Sequence, residues 1–75
     1  MNEGLPVAGY RPQTDAAVAA VNSNKKVEEA ILQALDGYKN NPDIDQRWLA
    51  IGRTHIEEGF MAINRSIFKP ARVQL

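Results

Sequence analysis

Apolar residues recur every three or four positions from Asn24 to about Lys39, at Val27, Ala30, Ile31, Ala34, Leu35 and Tyr38. That spacing predicts an amphipathic helix, with Gly37 weakening its last turn. A longer stripe follows at Leu49, Gly52, Ile56, Gly59/Phe60, Ile63 and Ile67, predicting a helix over about 42–68. Asn40-Asn41-Pro42-Asp43 separates the two. Here Asn41 reads as the N-cap and Pro42 as the first helical position, with Asp43 and Asp45 on the positive end of the dipole. Lys69-Pro70 ends the second helix. Upstream, Thr14 is a sound N-cap with Asp15 in the first turn. Ala16 to Val21 then make a short small-residue helix over 14–21. Asn22-Ser23-Asn24 are expected to break it, because their side chains compete for backbone hydrogen bonds; a continuous kinked helix is the alternative. Residues 1–13 carry Gly4, Pro6, Gly9 and Pro12 without helical period. They read as an extended arm in which Pro12 biases Arg11 away from helix. Residues 71–75 form a C-terminal tail.

These elements define an all-α protein, with one helical domain over 14–70. The short connection predicts that the two long helices, about 24–39 and 42–68, pack antiparallel as a hairpin. At about 1.5 Å per residue the second would span roughly 40 Å against some 24 Å for the first. The 14–21 helix is the element available to cover the overhang. Ile44, Trp48 and Ile51 widen the apolar surface beyond what one helix buries. Gly52 and Gly59, seven positions apart, share a face without side chains and would let another backbone approach.

Length sharpens this expectation. Seventy-five residues bury a modest fraction of their surface, and small domains need a staple. No cysteine is present, so disulfides and thiolate metal sites are excluded. The single histidine cannot build a zinc site alone. Oligomerisation remains, as an assembly larger than a dimer or as a dimeric four-helix bundle. Nine basic and nine acidic residues cancel, which argues against a general DNA or RNA binder. No uncharged run approaches a membrane span and the N-terminus has no signal pattern. The expectation is a soluble cytoplasmic protein.

Candidate chemistry is sparse. His55 lies between Gly52 and Gly59, has no Ser or Cys nucleophile at a telling spacing, and forms no HExxH pattern with Glu57 and Glu58. It reads as an interface hydrogen-bonder, and Trp48 reads as core or interface. No catalytic residues, metal or cofactor are expected, so an enzyme is improbable. Tyr10 stands apart, an aromatic ring in a Gly/Pro-rich arm with Arg11 and Pro12. A flat π-face followed by the clustered cations Lys25 and Lys26 is what a nucleotide needs: the base stacks and the phosphates are neutralised. Alternatively the ring anchors the arm, and the lysines are a solvated pair matched by Glu28 and Glu29. In the first turn of a helix, Lys25 and Lys26 would sit beside free N–H groups that welcome an anion. Arg65 and Lys69, one turn apart, suit a helix C-terminus. Around a symmetry axis, copies of Arg65 would form a ring of planar cations.

Three segments together resemble the small phage-encoded anti-CBASS sponge family, whose hairpin domain is related to one in Thoeris-blocking sponges. They are Gly9-Tyr10-Arg11-Pro12-x-Thr14, the Val21-Asn22 step with Lys25 and Glu28, and Phe60-Met61-Ala62-x-Asn64-Arg65-Ser66-Ile67-Phe68-Lys69-Pro70. The resemblance implies a homo-hexamer in the infected host's cytoplasm that sequesters cyclic nucleotides without cleaving them. Cyclic dinucleotides such as 3′,3′-cGAMP would lie between protomers, with Tyr10 stacking on a base and Lys25 holding phosphates beside Arg11 and Pro12. Cyclic trinucleotides would use a threefold pocket with Arg65, to which Lys26 and Lys69 are further candidates. The family's threefold pocket can also use a hydroxyl residue near the start of the middle helix, where this chain reads Lys26-Val27. A helical oligomeric protein-interaction module without a nucleotide ligand is the alternative.

Overall fold

The computed structural model describes residues 12–70. Among these there are two helices and no strand: α1 (Asp15–Asp36) and α2 (Gln46–Phe68), packed against each other as an antiparallel hairpin. Thr14 caps α1, its hydroxyl accepting from the Ala17 N–H at 3.1 Å.

The expected break at Asn22-Ser23-Asn24 is absent. In place of a short 14–21 helix and a separate one from residue 24, α1 runs unbroken for 22 residues. Asn22 and Ser23 face solvent and leave the backbone ladder alone. Asn24 turns inward, and its amide donates to Asn64 Oδ1 across the hairpin at 3.1 Å. Polar residues inside a helix are only a weak local penalty, and a tertiary partner overrides it. With α2 at 23 residues, the helices match in length at about 33–35 Å each, so no overhang needs covering.

α1 stops at Asp36, short of the expected Lys39. Gly37 is its C-cap, and Gly37, Tyr38 and Lys39 continue with tighter N–H bonds to Ala34, Leu35 and Asp36. Asn40 then takes a left-handed φ of 65°, a conformation that asparagine tolerates well. α2 starts later than expected. Asn41 is not its cap, because the Asn41 carboxamide oxygen accepts from the Asp43 N–H in a turn. The cap is Asp45, whose carboxylate accepts from the N–H groups of Arg47 and Trp48 at 3.0 and 3.1 Å. Gln46 ties the connection together: its amide donates to the carbonyls of Tyr38, Asn41 and Ile44, and its oxygen accepts from Asn40 N–H. α2 ends at Phe68 on a left-handed Lys69, whose N–H returns to the Arg65 carbonyl at 2.7 Å.

Buried and half-buried positions recur at Ala17, Val21, Asn24, Glu28, Ile31 and Leu35 on α1 and at Leu49, Arg53, Ile56, Phe60, Asn64 and Ile67 on α2. Both stripes keep the 3–4 spacing. They keep Ile31, Leu35, Leu49, Ile56, Phe60 and Ile67 of the expected stripes and shed the others. Val27, Ala30, Ala34 and Tyr38 on α1 are exposed, and so are Gly52, Gly59 and Ile63 on α2. Each helix carries two adjacent apolar stripes, and the hairpin covers one of them. Only Val21 is buried among the described residues, at 3% exposure.

Candidate functional site

Gln13, at the start of α1, donates its amide to the Phe68 carbonyl at 2.9 Å, so the point where the N-terminal arm enters is pinned beside the end of α2. The Asn24–Asn64 bond then fixes the neighbouring Lys25 and Arg65 at one level of the hairpin, both exposed. Lys26 is exposed on the next position of α1, and Lys69 is the exposed C-cap of α2. Pro12 is exposed at the entry to α1. Tyr10 and Arg11 lie outside the described residues.

The continuity of α1 changes the chemistry expected at Lys25 and Lys26. They stand in the helix interior, well past the first turn, where every N–H is already used by an i−4 carbonyl. No free backbone donors flank them, and the macrodipole contributes little there. Any anion held at this level would be met by side-chain cations alone. Arg65 and Lys69 occupy the negative end of α2, where their charges are favoured.

At the other end of the hairpin, Leu35, Lys39, Gln46, Leu49, Ala50 and Arg53 line an open groove of about 440 Å³. Arg53 donates to Asp36 Oδ1 at 2.7 Å, and that hydrogen bond raises the guanidinium pKa above its ordinary value. The cation there is already matched by a carboxylate. None of the residues proposed from sequence lines this groove. Gln13, Asn24 and Asn64, whose bonds run between the two sides of the hairpin, give no periodic signal, since a polar residue at an inward position reads locally as an interruption.

Among the described residues no group of three or more His, Cys, Asp and Glu side chains is placed to hold a metal, and no helix is long and apolar enough to cross a membrane. The described residues form a thin two-helix hairpin on which Lys25, Lys26, Arg65 and Lys69 are exposed, together with the large apolar side chains Val18, Val27, Tyr38, Trp48, Met61 and Ile63. The model of the Acb2/Tad1 hairpin domain matches residues 2–68, so the chain belongs to the Acb2/Tad1 hairpin family, the sponge family of phage anti-defence proteins that bind rather than catalyse. Neither a curated relative nor a solved structure matches the chain.

Proposed function

We propose that this protein is an anti-CBASS sponge: copies of the chain assemble, as a hexamer, and sequester cyclic oligonucleotide messengers such as 3′,3′-cGAMP in the host cytoplasm without cleaving them. The observation that carries the reading is the family match over residues 2–68. It is supported by a hairpin in which Val21 alone is buried among the described residues. One such hairpin cannot enclose a ligand of this size, whereas several copies can, and symmetry suits a cyclic molecule of repeating units.

In this reading Tyr10 stacks on a base of a cyclic dinucleotide, Lys25 neutralises its phosphates, and Arg11 and Pro12 shape the arm around it. Lys26, Arg65 and Lys69 serve cyclic trinucleotides at a junction of three copies. With no helix N-terminus at Lys25, phosphate binding rests on ammonium groups gathered from neighbouring copies, so it should weaken steeply with salt. Isothermal titration of the full chain with 3′,3′-cGAMP tests the proposal. Heat and thermal stabilisation at micromolar ligand are expected, and the ligand should be recovered intact after the protein is denatured. Absence of both heat and stabilisation would favour a protein-interaction module instead, a role the uncovered apolar faces would also suit.

A further inference from the structure

Among the described residues, the ionisable side chains that are half-buried are Arg53 and Glu28. The fold treats them differently. Arg53 has Asp36 at 2.7 Å. Glu28, in the α1 row of Val21, Asn24, Ile31 and Leu35, has no hydrogen-bond or ion-pair partner among the described residues. Its neighbour Glu29 accepts from Gln33 at 3.1 Å. A charge partly withdrawn from water without a donor costs stability, so packing of the hairpin gives no reason for a carboxylate at this position.

Lys25 stands three positions earlier on the unbroken α1, a spacing that puts the two Cβ atoms about 5–6 Å apart. Even so, the ion pairs of the described residues are Arg53–Asp36 and His55–Glu58, and Lys25 and Glu28 do not neutralise each other. A carboxylate beside a phosphate-binding lysine repels a ligand that is only an anion. It favours one that brings hydrogen-bond donors along with its phosphates. Nucleobases do so unequally. Guanine carries N1–H and the N2 amine side by side on its Watson–Crick edge, matching the two oxygens of one carboxylate. Adenine and cytosine set a ring-nitrogen acceptor beside their exocyclic amine, and uracil sets its N3–H between two carbonyl oxygens. Those acceptors would face a carboxylate oxygen. The flexible stem of Lys25 lets its ammonium follow the phosphate while Glu28, held in its row, meets the base edge.

We propose that Glu28 is a specificity-determining residue, accepting from N1–H and the N2 amine of guanine, so that the chain prefers cyclic oligonucleotides containing guanine over those built from adenine alone. The inference rests on the nucleotide site described under Proposed function and names the base which that site selects.

Calorimetric titration of the full chain with three ligands of similar shape tests it: 3′,3′-cGAMP, its inosine analogue lacking the guanine N2 amine, and cyclic di-AMP. Phosphates and stacking faces are common to all three, so binding of none would remove the sponge reading and this inference together. When they bind, 3′,3′-cGAMP should be held about tenfold or more tightly than either of the others. Equal affinities would overturn the role of Glu28 and leave sequestration standing. Glu28→Gln keeps the side-chain length and exchanges one acceptor oxygen for a donor amide, so the discrimination should fall to about threefold or less. A preference for guanine that survives the substitution would overturn the assignment. Circular dichroism melts separate this role from packing. Removing an unpartnered charge should not lower Tm; a lowered Tm with the same loss of affinity for all three ligands would make Glu28 structural and overturn the proposal.

Discussion

Val21→Ala probes how much of this protein's stability resides in the hairpin alone. Val21, 3% exposed, is the only buried side chain among the described residues. Truncation removes two methyl groups, worth about 0.8 kcal/mol each by transfer, and adds a cavity term because the two helices cannot fully close over the gap. Alanine returns about 0.5 kcal/mol of helix propensity. The net loss is about 1–2.5 kcal/mol, which for a domain of this size lowers Tm by roughly 5–15 °C. Circular dichroism melts at fixed protein concentration would read it. Val27→Ala is the paired control. Val27 is 51% exposed in the protomer, so a lone hairpin should tolerate its loss with no fall in Tm. A Val21→Ala melt within a degree of wild type would refute the placing of the packing centre. A Val27→Ala loss as large as that of Val21→Ala, growing with protein concentration, would show Val27 covered by another copy.

Three other outcomes follow from the structure and the proposed roles. Asp45→Ala removes the acceptor of two N–H groups at the start of α2 and should cost about 1 kcal/mol in a urea titration, whereas Asn41→Ala, not being the cap, should not reproduce a capping loss of that size. Tyr10→Ala should cost roughly 1–3 kcal/mol of cyclic dinucleotide affinity per stacked base with the assembly intact by light scattering; unchanged affinity would make the ring an anchor of the arm. Arg65→Ala should weaken a cyclic trinucleotide selectively in calorimetry, and an equal loss for a dinucleotide would mean a shared pocket or a damaged assembly.

The hairpin itself was legible in the sequence, because Pro42 and the asparagines around it interrupt two long periodic segments. Three details were not. The polar run at residues 22–24 looked like a break because a sequence shows the local cost of asparagine but not the Asn64 amide waiting 40 positions away. The start of α2 offered two acceptable caps, Asn41 and Asp45. Geometry chose the carboxylate that reaches two N–H groups, while Asn41 was taken up by its own turn. The inward stripes are right at Ile31, Leu35, Leu49, Ile56, Phe60 and Ile67 and wrong at Val27, Ala30, Ala34, Tyr38, Gly52, Gly59 and Ile63, as periodicity cannot say where a wide apolar face stops meeting its partner helix. That ambiguity has a physical source: each helix is apolar over a wider arc than one partner helix covers. Of the candidate site, the structure places Pro12, Lys25, Lys26, Arg65 and Lys69 on the exposed surface and removes the helix-end contribution expected at the lysines. Tyr10 and Arg11, in the arm, fall outside the described residues.

Multi-angle light scattering of the full chain, with and without 3′,3′-cGAMP, tests the central claim most directly. The account predicts a mass several times the 8.3 kDa of one chain, retained as the messenger co-elutes intact with the protein. A particle of one protomer that carries no messenger through the column would contradict it.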